Sequence, residues 1–132
     1  MSNKKRILVC GGRRYGITMT DDGYLVPNRL QVKTLIDYLD NILSEFSDIL
    51  IIHGEAKGAD SLAKDWAKSR NIEQIGFPAQ WDKYGKAAGF FRNTEMLKVG
   101  KPDIVVAFPG GTGTAMMCKI AEAEGVEVRK VV

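Results

Sequence analysis

The sequence predicts a single α/β domain: a Rossmann-like three-layer αβα sandwich around a mainly parallel sheet of about five strands. Three observations predict it. Short apolar runs alternate with longer stretches of helical periodicity from one end of the 132-residue chain to the other. Four of those runs stop at glycine or proline, where a buried strand must turn out of the sheet. The intervening helices are long enough to cross back over a sheet, the arrangement that leaves parallel strands covered on both faces by right-handed crossovers.

Arg6 to Cys10 is a short apolar run ending at Gly11-Gly12 and reads as the first strand. Leu30 to Phe46 carries Leu35, Ile36, Leu39, Ile42, Leu43 and Phe46 at helical spacing. Asp48 to Ile52 is a second buried strand, stopped at His53-Gly54, and Ala59 to Arg70 is a helix with Leu62, Ala63, Trp66 and Ala67 on one face. Ile72 to Phe77 reads as a third strand ended by Pro78, and Ala87 to Val99 as a helix. Asp103 to Phe108 is the fourth strand, Ala115 to Ala123 the last helix and Val126 to Val131 the fifth strand. One segment breaks the alternation: Ile17-Thr18-Met19-Thr20 and Tyr24-Leu25-Val26 flank Asp21-Asp22-Gly23, which predicts a small β-hairpin near residues 17–26, inserted after the first strand.

At 132 residues the whole chain, 1–132, is one domain, large enough for a good core without disulfides or metal. The net charge of +3, with both signs interspersed, is too small to argue for nucleic acid. No apolar stretch reaches the ~18 residues of a membrane span, and the basic start Met1 to Arg6 lacks the apolar region of a signal peptide. Cys10 and Cys118 both sit in apolar contexts without a CxxC pattern and read as core residues of a reduced, cytoplasmic protein. With His53 the only histidine, no metal site is expected.

The stretch Phe108-Pro109-Gly110-Gly111-Thr112-Gly113-Thr114 carries the strongest functional signal. A strand turning through glycines into a helix leaves backbone N–H groups pointing at one spot, where the helix dipole adds positive charge. A phosphate or carboxylate suits that spot, and Thr112 and Thr114 can add hydroxyl donors. Three other segments leave strands on the same rim. Gly11-Gly12-Arg13 offers close backbone approach and a guanidinium for a phosphate. His53-Gly54-Glu55-Ala56-Lys57-Gly58-Ala59-Asp60 feeds a helix start; Asp60 serves there either as a cap or as a ligand group, and His53 either as a buried hydrogen-bonding residue or as part of the site. Trp81 and Tyr84 offer flat faces for stacking, or pack internally, while Arg92 and Asn93 offer polar recognition. Together these loops describe a nucleotide-sized pocket at the carboxyl rim.

The ordered motifs Gly11-Gly12-Arg13, His53-Gly54-x-Ala56-x-Gly58-Ala59-Asp60, Phe77-Pro78-Ala79-x-Trp81-x-x-Tyr84-Gly85, Ala88-Gly89-x-x-Arg92-Asn93-x-x-Met96-Leu97 and Phe108-Pro109-Gly110-Gly111-x-Gly113-Thr114 closely resemble the YspA-type, YpsA-related branch of the SLOG superfamily, from about residue 6 onward. The insertion at residues 16–28 is where the chain looks least like its relatives. The resemblance implies a Rossmann-like fold that binds nucleotides or nucleotide-derived ligands, NAD- or ADP-ribose-like ones included. Superfamily members include the LOG phosphoribohydrolases, the DNA-processing protein DprA and sensor domains of antiphage systems. The LOG enzymes carry Pro-Gly-Gly-x-Gly-Thr-x-x-Glu, whose glutamate helps cleave an N-glycosidic bond. Here Met117 stands at that position, and methionine can neither take a proton nor stabilise a cation. Phosphate binding through backbone amides survives this change; the glutamate chemistry does not.

Two functions are therefore expected of this rim. The first is a binding module, a sensor, carrier or sequestering protein for a nucleotide-derived small molecule, with Gly11, Gly12, Arg13, His53, Gly54, Gly58, Ala59, Asp60, Trp81, Tyr84, Arg92, Asn93 and Pro109 to Thr114 around the ligand. The second is an N-glycosidic nucleotide hydrolase that uses another carboxylate, Asp60 first, with Glu55 and Glu95 as the other candidates. Single-stranded DNA binding in the manner of DprA would need a basic groove that the charge does not suggest. A homodimer is expected from the habit of the superfamily, and no cofactor beyond the ligand.

Overall fold

The computed structural model describes residues 4–132. Five parallel strands form one sheet in the order β5-β4-β1-β6-β7: β1 Lys5–Cys10, β4 Ile49–His53, β5 Gln74–Gly76, β6 Ile104–Ala107 and β7 Glu127–Lys130. Alternate residues of the central strands feed opposite faces, as the pleat demands. Ile7, Val9, Ile49, Ile51, Ile104 and Val106 pack against α1 (Arg29–Phe46) and α2 (Ala59–Ser69). Leu8, Cys10, Leu50, Ile52, Val105 and Ala107 pack against α4 (Ala88–Lys98) and α5 (Thr112–Ala123). The three layers read from the sequence are thus present, each core residue stabilising by roughly 1.5–3 kcal/mol. Among the described residues no helix is long and apolar enough to cross a membrane.

The inserted hairpin is also present. β2 (Ile17–Met19) and β3 (Leu25–Pro27) pair antiparallel, closed by a turn in which Gly23 has φ +86°. It is pinned where it meets α1: the Asn28 side chain caps that helix by accepting from the Gln31 N–H, and donates to Thr18 Oγ1 at 2.9 Å. α1 and α2 are clasped in turn by Asp40, which accepts from Trp66 Nε1 at 2.9 Å and from Nε and Nη2 of Arg70. The Arg70 guanidinium holds that carboxyl below its usual range.

Three boundaries differ from the sequence reading. The third strand is only Gln74–Gly76, because the Ile72 N–H bonds back to the Ala67 carbonyl and finishes α2 instead of joining the sheet. The segment after Pro78, expected to be open loop, forms a short helix α3 (Trp81–Tyr84) and a 3₁₀ turn (Gly85–Ala87) ahead of α4. The last helix begins at Thr112, three residues before the expected start, so Thr112, Gly113 and Thr114 are its first turn.

The strand order fixes where a ligand can sit. The chain winds outward from β1 through β4 to β5, then returns to place β6 on the other side of β1. The carboxyl ends of β1 and β6 therefore flank the point where the winding reverses, and such folds open a crevice there.

Candidate functional site

Gly11-Gly12 leaves β1 and Pro109-Gly110 leaves β6, and the two turns are tied by the Gly12 N–H donating to the Pro109 carbonyl at 2.9 Å. Most glycines of the rim allow such close packing. A Cβ on Gly11 would stand 2.6 Å from the Ala59 Cβ, and one on Gly58 (φ +78°) would collide with the Gly12 carbonyl. Gly54 is closed over by the Arg92 guanidinium, and Gly110 by Thr114 Oγ1 and the Gly12 nitrogen. Gly111 and Gly113 are different. A Cβ on either would meet nothing within 4 Å, and both line the crevice.

The two glycine-led helix starts differ in the same way. At α2 the Ala59 N–H is already given to the Gly12 carbonyl. At α5 the N-cap is Gly111, which has no side chain to accept from the first-turn amides, and that turn holds no acid. The positive end of α5 is uncompensated and faces the cavity.

The cavity has a volume of about 680 Å³. Arg13 and Arg92 reach it from different elements. Arg13 lies over the Trp81 ring, 5.3 Å from its centroid. Arg92, half-buried, donates to the Gly54 carbonyl and to Asn93 Oδ1. Burial pulls Arg92 below its ordinary pKa and the Arg13 cation adds to this, while Asp60 opposes it. Two guanidinium groups thus crowd one space, a repulsion that an anion would relieve. At the mouth, Trp81 and Phe90 remain 48% and 54% exposed, large apolar faces turned to solvent beside those cations.

Asp60 lines the same cavity from α2, where it is the second residue of the helix and not its cap. Its Oδ2 accepts from the Gly54 N–H at 2.9 Å and the Ala56 N–H at 3.3 Å, shaping the loop that follows β4. Burial pushes this carboxyl above its usual range, against the pull of those amides, Arg92 and His53. Asn93, also buried, donates to the Gly113 carbonyl at 3.2 Å and so fixes α4 against the first turn of α5.

The structure thus gathers Gly11, Gly12, Arg13, Asp60, Trp81, Arg92, Asn93, Gly111, Thr112, Gly113 and Thr114 around one space. Other expected residues stay out of it. His53 is fully buried at the end of β4; it accepts the Glu55 N–H on Nδ1, so Nε2 carries the proton and donates to Gln74 Oε1. Gly54, Gly58 and Ala59 serve packing beneath the wall. Glu55 points to Lys64, 3.6 Å away, and Tyr84 stacks on Phe91 with ring centroids 4.4 Å apart. Pro109 and Gly110 face a second cavity of about 600 Å³ on the far side of the glycine ridge. Sequence reading left Lys86 and Phe90 out of the site and took Gly89 and Met96 only as motif residues, although all four recur at helical spacing about Asn93 and could have been placed by extending that face. Met116, beside Asn93, also faces the cavity, whereas Met117 is fully buried in the core.

A family model described as the YspA, cpYpsA-related SLOG family matches residues 5–84, the stretch from β1 through α3. The match carries the first three rim motifs and stops short of α4 and the last glycine turn, a narrower span than the motif resemblance suggests. The Gene 61 protein of Mycobacterium phage D29 is 37% identical over 89 residues, which cover 61% of this chain and 69% of that protein. No solved structure matches. With more than half its length matched, the chain belongs to the YspA, cpYpsA-related SLOG family.

Proposed function

We propose that the chain binds a nucleotide or nucleotide-derived ligand at the carboxyl rim of the sheet, as a sensor, carrier or sequestering module. One observation carries this reading: Gly111 and Gly113 have no neighbour that excludes a side chain, yet they stand at the open start of α5. Gly113, inside the first turn, costs roughly 0.5–1 kcal/mol against alanine. A group that must approach the backbone there accounts for that cost. A phosphate fits, because it accepts the free amides and receives positive charge from the helix and from Arg13 and Arg92. Trp81 and Phe90 then offer a face to a base, and a cavity of about 680 Å³ has room for a nucleoside beyond the phosphate. Membership of the SLOG superfamily supports the same ligand class. Calorimetric titration with AMP, ADP-ribose and ribose 5-phosphate tests the reading: all three should bind, and absence of heat with every one rejects it.

A second reading, hydrolysis of an N-glycosidic bond, is favoured by Asp60. It is a carboxyl on the cavity wall, and a carboxylate there would stabilise positive charge developing at C1′ of a ribose in this cavity. Water would add at C1′ as the bond to the base breaks and the base leaves with a proton. Chromatography of AMP incubated with the chain checks this. Little free base is expected; turnover near 1 s⁻¹, within the ordinary enzyme range, that is lost in Asp60→Asn would establish the hydrolase.

A further inference from the structure

The segment between β5 and α4 is thinly anchored for its place on the rim. Buried residues fix its two ends, Phe77 and Ala88, and the Phe77 N–H is given to the His53 carbonyl at 2.9 Å. Between them every residue from Gln80 to Ala87 is exposed, although the segment is folded as α3 and a 3₁₀ turn. Its hydrogen bonds are local: Lys83 and Tyr84 give their N–H groups to the Gln80 carbonyl, and Gly85 gives its own to the Trp81 carbonyl. Among the described residues, no side chain from Pro78 to Ala87 forms a hydrogen bond or an ion pair.

Two ring contacts join the segment to its surroundings. Tyr84 stacks on Phe91 in α4, the helix that directly follows. Trp81 lies under the guanidinium of Arg13, a cation that lines the same cavity. Few buried contacts and only local hydrogen bonds mean that such a segment moves at low cost. Gly85 suits a hinge. Its φ is +55°, and a methyl there would meet nothing within 4 Å, so the backbone conformation and not packing calls for glycine.

We propose that residues 78–84 form a strap that closes over a nucleotide bound in the first cavity, turning about Gly85 and carrying the Trp81 ring onto the ligand. Closure rests on the nucleotide reading above, to which it adds a motion. In the empty chain Arg13 holds the Trp81 ring at the mouth. A phosphate in the cavity draws Arg13 to itself, because a charge-assisted hydrogen bond outweighs a half-exposed cation–π contact. The ring is then released, and its exposed face is buried against the base. Lys86, beyond the hinge, stays on the cavity wall. The strap's own hydrogen bonds survive the movement because they are local. The ligand shifts the strap only as far as it binds the closed form better than the open one.

Stopped-flow fluorescence of the full chain tests closure. Trp66 is buried and donates to Asp40, so a change on adding AMP reports Trp81, and Trp81→Phe should remove it. The expected signal has a second phase whose rate levels off as AMP is raised, because closing is a step within the complex. Gly85→Ala should slow that levelled rate by about threefold or more while leaving Tm unchanged, since nothing packs on this position. A single phase whose rate rises linearly with AMP, in a chain that binds AMP by calorimetry, overturns closure and leaves the nucleotide reading standing. A second phase of wild-type rate in Gly85→Ala overturns the hinge. If calorimetry finds neither AMP nor ribose 5-phosphate bound, the nucleotide reading fails and closure fails with it.

Discussion

Replacing Gly113 by alanine separates a glycine held for packing from one held for a ligand. The position is the second residue of α5, and the new methyl meets nothing within 4 Å. Removing a helical glycine should stabilise the fold by roughly 0.5–1 kcal/mol, a rise in Tm of about 2–5 °C for a chain of this size. The same methyl projects toward the open side of the first turn, where it holds a phosphate off the free amides. Losing one hydrogen bond to a charged group costs about 1.5–3 kcal/mol, a Kd weakened about 10- to 150-fold. Scanning calorimetry and titration with ribose 5-phosphate on the same preparation read both effects. A variant that melts higher and binds within twofold of wild type would refute the placement of the anion. Gly58→Ala is the control: with φ +78° and the Gly12 carbonyl in the way, it should lower stability by about 1–3 kcal/mol or more.

Arg13→Ala and Arg92→Ala should each weaken ribose 5-phosphate binding by about 1.5–3 kcal/mol. Only Arg92→Ala should also lower Tm, since Arg92 holds the Gly54 carbonyl and Asn93; titration and melting of the two variants separate the effects. Trp81→Ala should cost AMP about 1–3 kcal/mol of stacking while leaving ribose 5-phosphate within twofold, and equal losses for both ligands would remove the base from that ring. The Asp60 carboxyl is raised above its ordinary value of 3.8 by burial, so the folded state holds its proton more tightly than the unfolded state. Its contribution to stability is therefore greatest at low pH and declines as pH rises from about 3.8 through the folded pKa. Urea titrations across that window should show wild type losing stability relative to Asp60→Asn as pH rises.

The period of the apolar residues made the layers legible, because each helix and strand buries one face and its spacing says which. The hairpin was legible for the same reason, with Asp21-Asp22-Gly23 marking its turn. Strand order was not. The placing of β6 beside β1 is decided by which faces cover one another, and that placing creates the crevice. Residue types on the rim were legible, but four glycine-bearing loops looked equivalent in one dimension. Only the folded chain shows that Gly11 meets Ala59 and Gly58 meets Gly12, while Gly111 and Gly113 meet nothing. His53 followed the same logic: a histidine at a strand end reads equally as ligand or buried partner until Glu55 and Gln74 are seen on its two nitrogens. The burial of Cys10 and Cys118 could be read from their apolar neighbours.

Helix register also bears on whether hydrolysis could be restored by returning the glutamate that LOG enzymes carry. Met116 faces the cavity, and Met117, a third of a turn further round, is fully buried against the second core cluster. A carboxyl at 117 would sit beside Leu8, Val105 and Ala121 with no counter-charge. Buried glutamates take pKa values of about 8–9, so Met117→Glu would be protonated at pH 7, at a cost of about 1.4 kcal/mol per unit between its normal pKa and ambient pH. That amounts to roughly 4 kcal/mol, before any loss of packing. Met117→Glu is therefore expected to melt far below wild type and to release no base from AMP. Met116→Glu, which places its carboxyl on the cavity wall, should keep the fold. If Met117→Glu retained the wild-type Tm and hydrolysed AMP, α5 would have to be rotated from the register described here. If it behaves as expected, Asp60 is left as the one acid on the wall of this cavity among the described residues, and any glycosidic chemistry must run through it.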